Sequence, residues 1–207
     1  MKEEIARSLQ NNEELLKLRL ENLSNELKIS SSTLSQINNV LLSPSRRGRL
    51  GNSQLDQLLS LYLPKDNKVY QIEYKMKKAT GKGGYLIVDA IIFGVEGKNN
   101  LAIDSKFPLE NYLLLTDNNL TEEQKENAGK NFRLNLKEHI KKVAEYVSEL
   151  DETEHAIMFI PSEAIFAKIN EHSFYEIMEF ALAKKVSICS PTTLAIVVNQ
   201  ILWATRT

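Results

Sequence analysis

Three charged side chains stand in a stretch that otherwise reads as apolar strand: Asp89, Asp104 and Lys106, within YLIVDAIIFGVEGKNNLAIDSKFP at residues 85–108. Two β-branched runs flank a polar turn around Glu96-Gly97, the pattern of a β-hairpin. With the turn centred there, antiparallel pairing sets Asp89 directly opposite Asp104, and directly opposite residues have Cβ atoms about 5 Å apart. Strand alternation puts Lys106 on the same face as Asp104. Burying two carboxylates side by side is costly unless something compensates. A divalent cation would do so, because Mg²⁺ takes one or two carboxylates plus waters and substrate phosphate oxygens. A neighbouring lysine could then orient or deprotonate a water for attack on phosphorus. The plainer alternative is a structural Asp104–Lys106 ion pair at a sheet edge, with Asp89 opening a turn. Spacing alone leaves both open, since an acid–acid–lysine pattern recurs by chance.

The elements that must position this trio follow from periodicity. Pro44 and Gly48 break the preceding helix, and SPSRRGRLGNSQLDQLLSLYL begins another. Leu50, Leu55, Leu58, Leu59 and Leu61 give it an apolar face, and Asn52 and Asp56 fall four apart on a polar one. VYQIEYKM reads as a strand, followed by the glycine-rich turn KKATGKGG. Between Lys65 and Lys82 six lysines meet two acids, Asp66 and Glu73. That imbalance suits phosphate contact, but on local charge alone a solvated hairpin is the better account. GKGG lacks the spacing and flanking elements of a P-loop, which excludes nucleotide binding there.

Beyond the hairpin, residues 121–150 are expected to form one long helix, with Thr121 as N-cap and a capping box through Gln124. Its second half gathers Lys130, Arg133, Lys137, Lys141 and Lys142. His139 among them reads as a surface residue. HAIMFIPSEA is a short buried strand, and a helix of about twenty residues should follow it. Glu163, where strand meets helix, suits the first turn of that helix. VSICS is another strand, and Pro191-Thr192-Thr193 caps a last helix through Trp203. The expected order is helix, three strands, helix, strand, helix, strand, helix: an α/β domain over residues 44–207.

Residues 1–43 differ in character. Leu20, Leu27, Leu34 and Leu41 repeat every seven residues, interleaved with Leu9, Leu16, Leu23 and Ile37. This is the a/d seam of a coiled coil, interrupted at Glu13 and Ser30; it favours self-association into a homo-oligomer over the alternative of an amphipathic helix docked on its own domain. The net charge of −1 gives no global basic signature, so any nucleic-acid surface must be a local patch. The single Cys189 excludes an internal disulfide framework and fits a reducing compartment. No window holds the roughly 18 apolar residues of a membrane span, and the first residues begin no signal peptide. A soluble, cytoplasmic chain is the expectation.

Residues 46–206 resemble the RmuC family of DNA recombination proteins, which carry a restriction-endonuclease-like, PD-(D/E)XK core. The matching stretches are AIDSKFPLENY at 102–112, HIKKVAEYV at 139–147, MFIPSEA at 158–164 and SPTTLAIVVNQILW at 190–203. They occur in the family's order, and the coiled-coil arm and the α-β-β-β-α-β order are typical of it. The resemblance implies a mixed sheet flanked by helices and a Mg²⁺- or Mn²⁺-dependent nuclease acting on DNA. Asp89 matches the acid of the family's Pro-Asp pair, with Val88 in the proline's place. Asp104, Ser105 and Lys106 match its D-x-K tripeptide. By that likeness Asp89, Asp104 and the Ser105 carbonyl hold the metal, while Lys106 serves the attacking water. Relatives usually carry G-x-W-G-E in the helix before the sheet; here Gly48-Arg49-Leu50-Gly51-Asn52 lacks both the tryptophan and the acid. Asn52 could still offer an amide oxygen, and Asp56 could substitute for the lost carboxylate. Arg46, Arg47, Arg49 and the basic half of the long helix would contact phosphates. A catalytically inactive DNA-binding or scaffolding protein is the competing reading. Substrate form is not legible, because no base-reading motif is present.

Overall fold

In the computed structural model, residues 43–80 and 83–204 are described. The chain divides into two units, Met1–Pro44 and Ser45–Thr207, and the second contains the sheet. The expected coiled coil lies outside the described residues.

A five-stranded sheet forms the middle layer, with strands in sequence order. Helix α1 (Pro44–Tyr62) leads into β1 (Tyr70–Ala79), β2 (Tyr85–Ile92) and β3 (Leu101–Ser105), an antiparallel meander. Helices α2 (Leu109–Thr116) and α3 (Glu122–Ala144) then cross over to β4 (His155–Phe159), which lies parallel to β3. Helices α4 (Glu163–Ile169) and α5 (Tyr175–Ala183) carry the chain to β5 (Val186–Cys189), parallel to β4, and α6 (Pro191–Ala204) follows. The sheet is therefore mixed and flanked by helices. Among the described residues no helix is long and apolar enough to cross a membrane.

Strand alternation decides which helix covers which face. Ala90, Ile92, Ile103, Ile157, Phe159 and Cys189 join Leu55, Leu59 and Leu63 from the α1 segment and Leu194 and Val198 of α6 in one buried cluster. Each fully buried leucine there contributes about 1.5–3 kcal/mol. The alternate strand positions, Ile91, Ala102 and Met158, are equally buried. The apolar stripe Phe132, Leu136, Ile140, Val143 of α3 is buried as well. Asp89 and Asp104 have the parity of this second set, so they share its face.

Local chemistry explains most boundaries. Thr121 caps α3 with the expected capping box through Gln124. The β2–β3 connection is a tight turn over Val95–Gly97, with Glu96 at φ 55°. A Cβ on Gly94 would collide with the Lys98 carbonyl, so only glycine fits there. Two expected helices come out shorter. The helix expected over 121–150 stops at Ala144, because the Lys78 ammonium takes the Glu145 and Val147 carbonyls at 2.7 and 3.4 Å. The helix expected after β4 breaks at Asn170, whose side-chain amide bonds the Phe166 carbonyl at 2.8 Å and stops the first piece. Helix α2 was absent from the expected order; at 8 residues it carries too few turns to show a clear period.

Candidate active site

The hairpin register Ile92↔Leu101, Ile91↔Ala102 and Ala90↔Ile103 would set Asp89 against Asp104 at its next step. Backbone pairing stops there. In place of the next rung the Asp89 carboxylate Oδ2 accepts the Ser105 backbone N–H at 2.7 Å. The β2–β3 ladder is thus closed at its last step by a side chain, beside the second acid.

Asp104 is buried and forms an ion pair with the Lys106 ammonium. Asp89 is half-buried, and its Oδ1 accepts the Asn52 amide at 3.0 Å. Asn52 gets there because α1 lies close on β3: a Cβ at Gly51 would collide with the Ser105 hydroxyl. Burial raises the Asp89 pKa, and the Asp104 charge raises it further; the Ser105 N–H, Lys106 and Asn52 oppose the rise. Two carboxylates thus face one ammonium, an excess of negative charge in a partly dehydrated place.

Helix α3 supplies the neighbours. His139 and Lys142 lie on it about one turn apart, and Tyr146 follows in the turn just after its end. The Tyr146 hydroxyl donates to the Ile87 carbonyl of β2 at 3.1 Å. Burial, followed by the adjacent Asp104 charge, pushes the phenol upward, so it stays protonated. His139 is not the surface residue that its basic surroundings suggested: its Nδ1 is buried without a hydrogen-bond partner. Burial, then Lys106, then Lys142 lower its pKa to about 4. Both residues lie inside HIKKVAEYV, and their seven-residue spacing was the available signal. The surrounding lysines disguised it.

The other candidates fall elsewhere. Asp56 sits beside Tyr70 and, with Lys65, Asp66 and Gln71, lines a cleft at the start of β1. Of the two polar α1 positions it is Asn52 that bonds Asp89. Glu163 begins α4 and accepts the Thr192 N–H at 2.8 Å, capping α6. Burial opposes its ionisation, but the bonds from Thr192 and Ser190 outweigh it and leave its pKa lowered. Arg47 is buried and paired with Glu110 at 2.8 Å. Lys130 pairs with Glu126 at 3.0 Å, while Arg133 and Lys137 share Glu176 at 3.7 and 3.4 Å. Arg46, Arg49, Lys141 and Lys142 are exposed, with no ion pair among the described residues.

Among the described residues no group of three or more His, Cys, Asp or Glu side chains comes together. The donors brought together at the hairpin are two carboxylates and the Asn52 amide, to which the family resemblance would add the Ser105 carbonyl. All are oxygen donors of the kind a hard divalent cation takes, and its charge would offset the excess carboxylate.

Fold and site define an α/β domain that carries an acid–acid–lysine centre at the end of a β-hairpin. The RmuC family model matches residues 1–207, and the chain belongs to the RmuC family. It is similar to the "DNA recombination protein RmuC homolog" of Chlamydia muridarum (strain MoPn / Nigg), 26% identical over 185 residues. That match covers 87% of this chain and 40% of the relative, so the chain spans less than half the relative's length. No solved structure matches it.

Proposed function

We propose that this chain acts on DNA in a recombination-associated role, as a Mg²⁺- or Mn²⁺-dependent phosphodiester hydrolase built on a restriction-endonuclease-like, PD-(D/E)XK core. One observation carries the reading: Asp89 and Asp104 come together at the end of β2 and β3 with Lys106 already paired to Asp104. Support also comes from the element order, with the acids on the second and third strands of the meander, and from the name of the Chlamydia relative.

Asp89, Asp104 and the Ser105 carbonyl would hold the cation, with the Asn52 amide oxygen as a neutral further donor. When bound, the ion neutralises charge developing on phosphorus and acidifies water. The remaining work falls to the chain itself. The Ser105 N–H and the Asn52 amide fix the two oxygens of Asp89, so the carboxylate keeps one orientation. Lys106 donates to the attacking water and turns its lone pair toward phosphorus. Arg46, Arg49, Lys141 and Lys142 contact backbone phosphates, which position the nucleic acid and carry no base information.

A cleavage assay on linear, nicked and branched DNA, with Mg²⁺, Mn²⁺ or EDTA, tests this. Wild type should give metal-dependent products, and Asp104→Ala should lower the rate at least about a hundredfold with folding intact. Asn52, uncharged where relatives carry an acid, favours a second reading: a DNA-binding scaffold that keeps the pair for structure alone. Absence of products together with absence of calorimetric metal binding would decide for that scaffold.

A further inference from the structure

The open end of strand β2 leads straight to the acid pair and has no part in the chemistry above. Tyr85, Ile87, Asp89 and Ile91 alternate onto one face of the strand. That stripe runs from open to closed: Tyr85 is 58% and Ile87 60% exposed, Asp89 is half-buried and Ile91 is fully buried. Same-face neighbours on a strand stand about 7 Å apart, so the exposed pair spans roughly 7 to 13 Å from Asp89. The register sets Lys75 of β1 opposite Ile87, and directly opposite residues share a face. The Lys75 ammonium lies 3.7 Å from the centroid of the Tyr85 ring. The Tyr146 hydroxyl, bonded to the Ile87 carbonyl at 3.1 Å, borders this stretch.

Charge indicates what covers it. Strand β1 carries Lys75, Lys77 and Lys78 against Glu73 alone. Lys78 is spent on the Glu145 and Val147 carbonyls, whereas Lys75 and Lys77 are exposed, with no ion pair among the described residues. An aromatic and an aliphatic side chain beside unspent cations suit a polyanion that carries flat apolar groups. A nucleic-acid strand is such a polymer: its phosphates take the lysines and its bases stack on the ring. In a duplex the base faces are covered by one another, so only an unpaired stretch can offer them.

We propose that Tyr85 and Ile87, with Lys75 beside them, form a stacking platform for unpaired bases of a DNA strand, next to the acid pair that would cleave it. Lys75 takes the phosphate of the nucleotide whose base lies on Tyr85. The inference deepens the proposed function by giving the substrate an unpaired segment, and it rests on that reading for the DNA.

Fluorescence anisotropy with the full chain in EDTA, where no strand is cut, compares two labelled oligonucleotides of equal length. One carries thymine at every position, and the other is the same phosphodiester chain with abasic sites throughout. Wild type should bind the thymine strand more tightly. Tyr85→Ala should weaken that strand about 5- to 150-fold and leave the abasic strand unchanged. Tyr85→Phe, which keeps the ring, should bind both strands as wild type does. Lys75→Met should lower the salt slope by about 0.7 for either strand; an unchanged slope overturns the role of Lys75. Equal affinity of wild type for the two strands, equal losses on both in Tyr85→Ala, or binding to a blunt duplex alone overturns the platform and leaves the DNA reading standing. A Tyr85→Phe that behaves like Tyr85→Ala also overturns it. Absence of binding to either strand and to the duplex sinks the DNA reading, and the platform with it. A sedimentation coefficient that differs between wild type and Tyr85→Ala/Ile87→Ser assigns the face to a second copy of the chain and overturns the proposal.

Discussion

At the scale of single residues, the candidate site is a problem of charge in a place short of water. Asp104 is matched by Lys106, and Asp89 is held by neutral donors only, the Ser105 N–H and the Asn52 amide. His139 carries the complementary cost. Its folded pKa lies near 4 against an ordinary 6.5. Above pH 6.5 the ring is neutral in both folded and unfolded chains and its contribution vanishes. As pH falls through 6.5 the unfolded chain takes up the proton first, so stability is lost down to about pH 4. By pH 5 the loss amounts to about 2 kcal/mol. His139→Phe should therefore flatten the fall of urea-unfolding stability between pH 7 and 5 by that amount. A pH profile parallel to wild type would show that the ring is solvated.

Whole elements meet through backbone contacts that small residues permit. Helix α1 contains two glycines with opposite demands. A Cβ at Gly48 would meet open space, whereas one at Gly51 would strike the Ser105 hydroxyl. Gly48→Ala should raise stability by roughly 0.5–1 kcal/mol through helix propensity alone. Gly51→Ala gains the same propensity but loses about 1–3 kcal/mol to overpacking. Thermal unfolding of both variants, and of Gly51→Ala in a Ser105→Ala background that removes the clash, checks the difference. Asp151 performs another joint. Its buried carboxylate accepts the Lys77 and Lys78 N–H groups at 2.6 and 3.0 Å, where β1 pairing with β2 is irregular, and the Ser148 hydroxyl at 3.1 Å. Asp151→Ala strands those donors and should cost about 2–4 kcal/mol in urea unfolding. Strands β2, β4 and β5 and helix α6 were legible in sequence because their apolar runs are bounded by turn residues. The end of α3 was not, because a lysine 67 positions earlier in the chain supplies its cap.

For the molecule as a whole, net charge near neutrality means that the proposed action on DNA would depend on which cations remain unspent. Arg133 and Lys137 lean on Glu176, and Arg133 also stacks 4.7 Å from the Phe174 ring. Lys141 and Lys142 point to solvent from the stretch of α3 that also bears His139. Removing either should lower the salt slope of DNA binding by about one, while Lys130→Ala should leave it nearly unchanged. Fluorescence anisotropy at several salt concentrations separates the two outcomes, and equal slopes would mean that the ion pairs yield to phosphate.

By itself the sequence determined the α/β class, the hairpin, the alignment of Asp89 with Asp104 and the Lys106 neighbour. These follow from period-2 alternation and a turn of fixed length, both local in the chain. Only the tertiary structure decided that Asn52, rather than Asp56, bonds the pair. It alone also brought Tyr146 to Asp104, buried the Nδ1 of His139, and spent Arg47, Arg133 and Lys137 on carboxylates instead of solvent. Each of those outcomes depends on how α1, α3 and α5 lie against one sheet, a matter of packing between segments far apart in sequence.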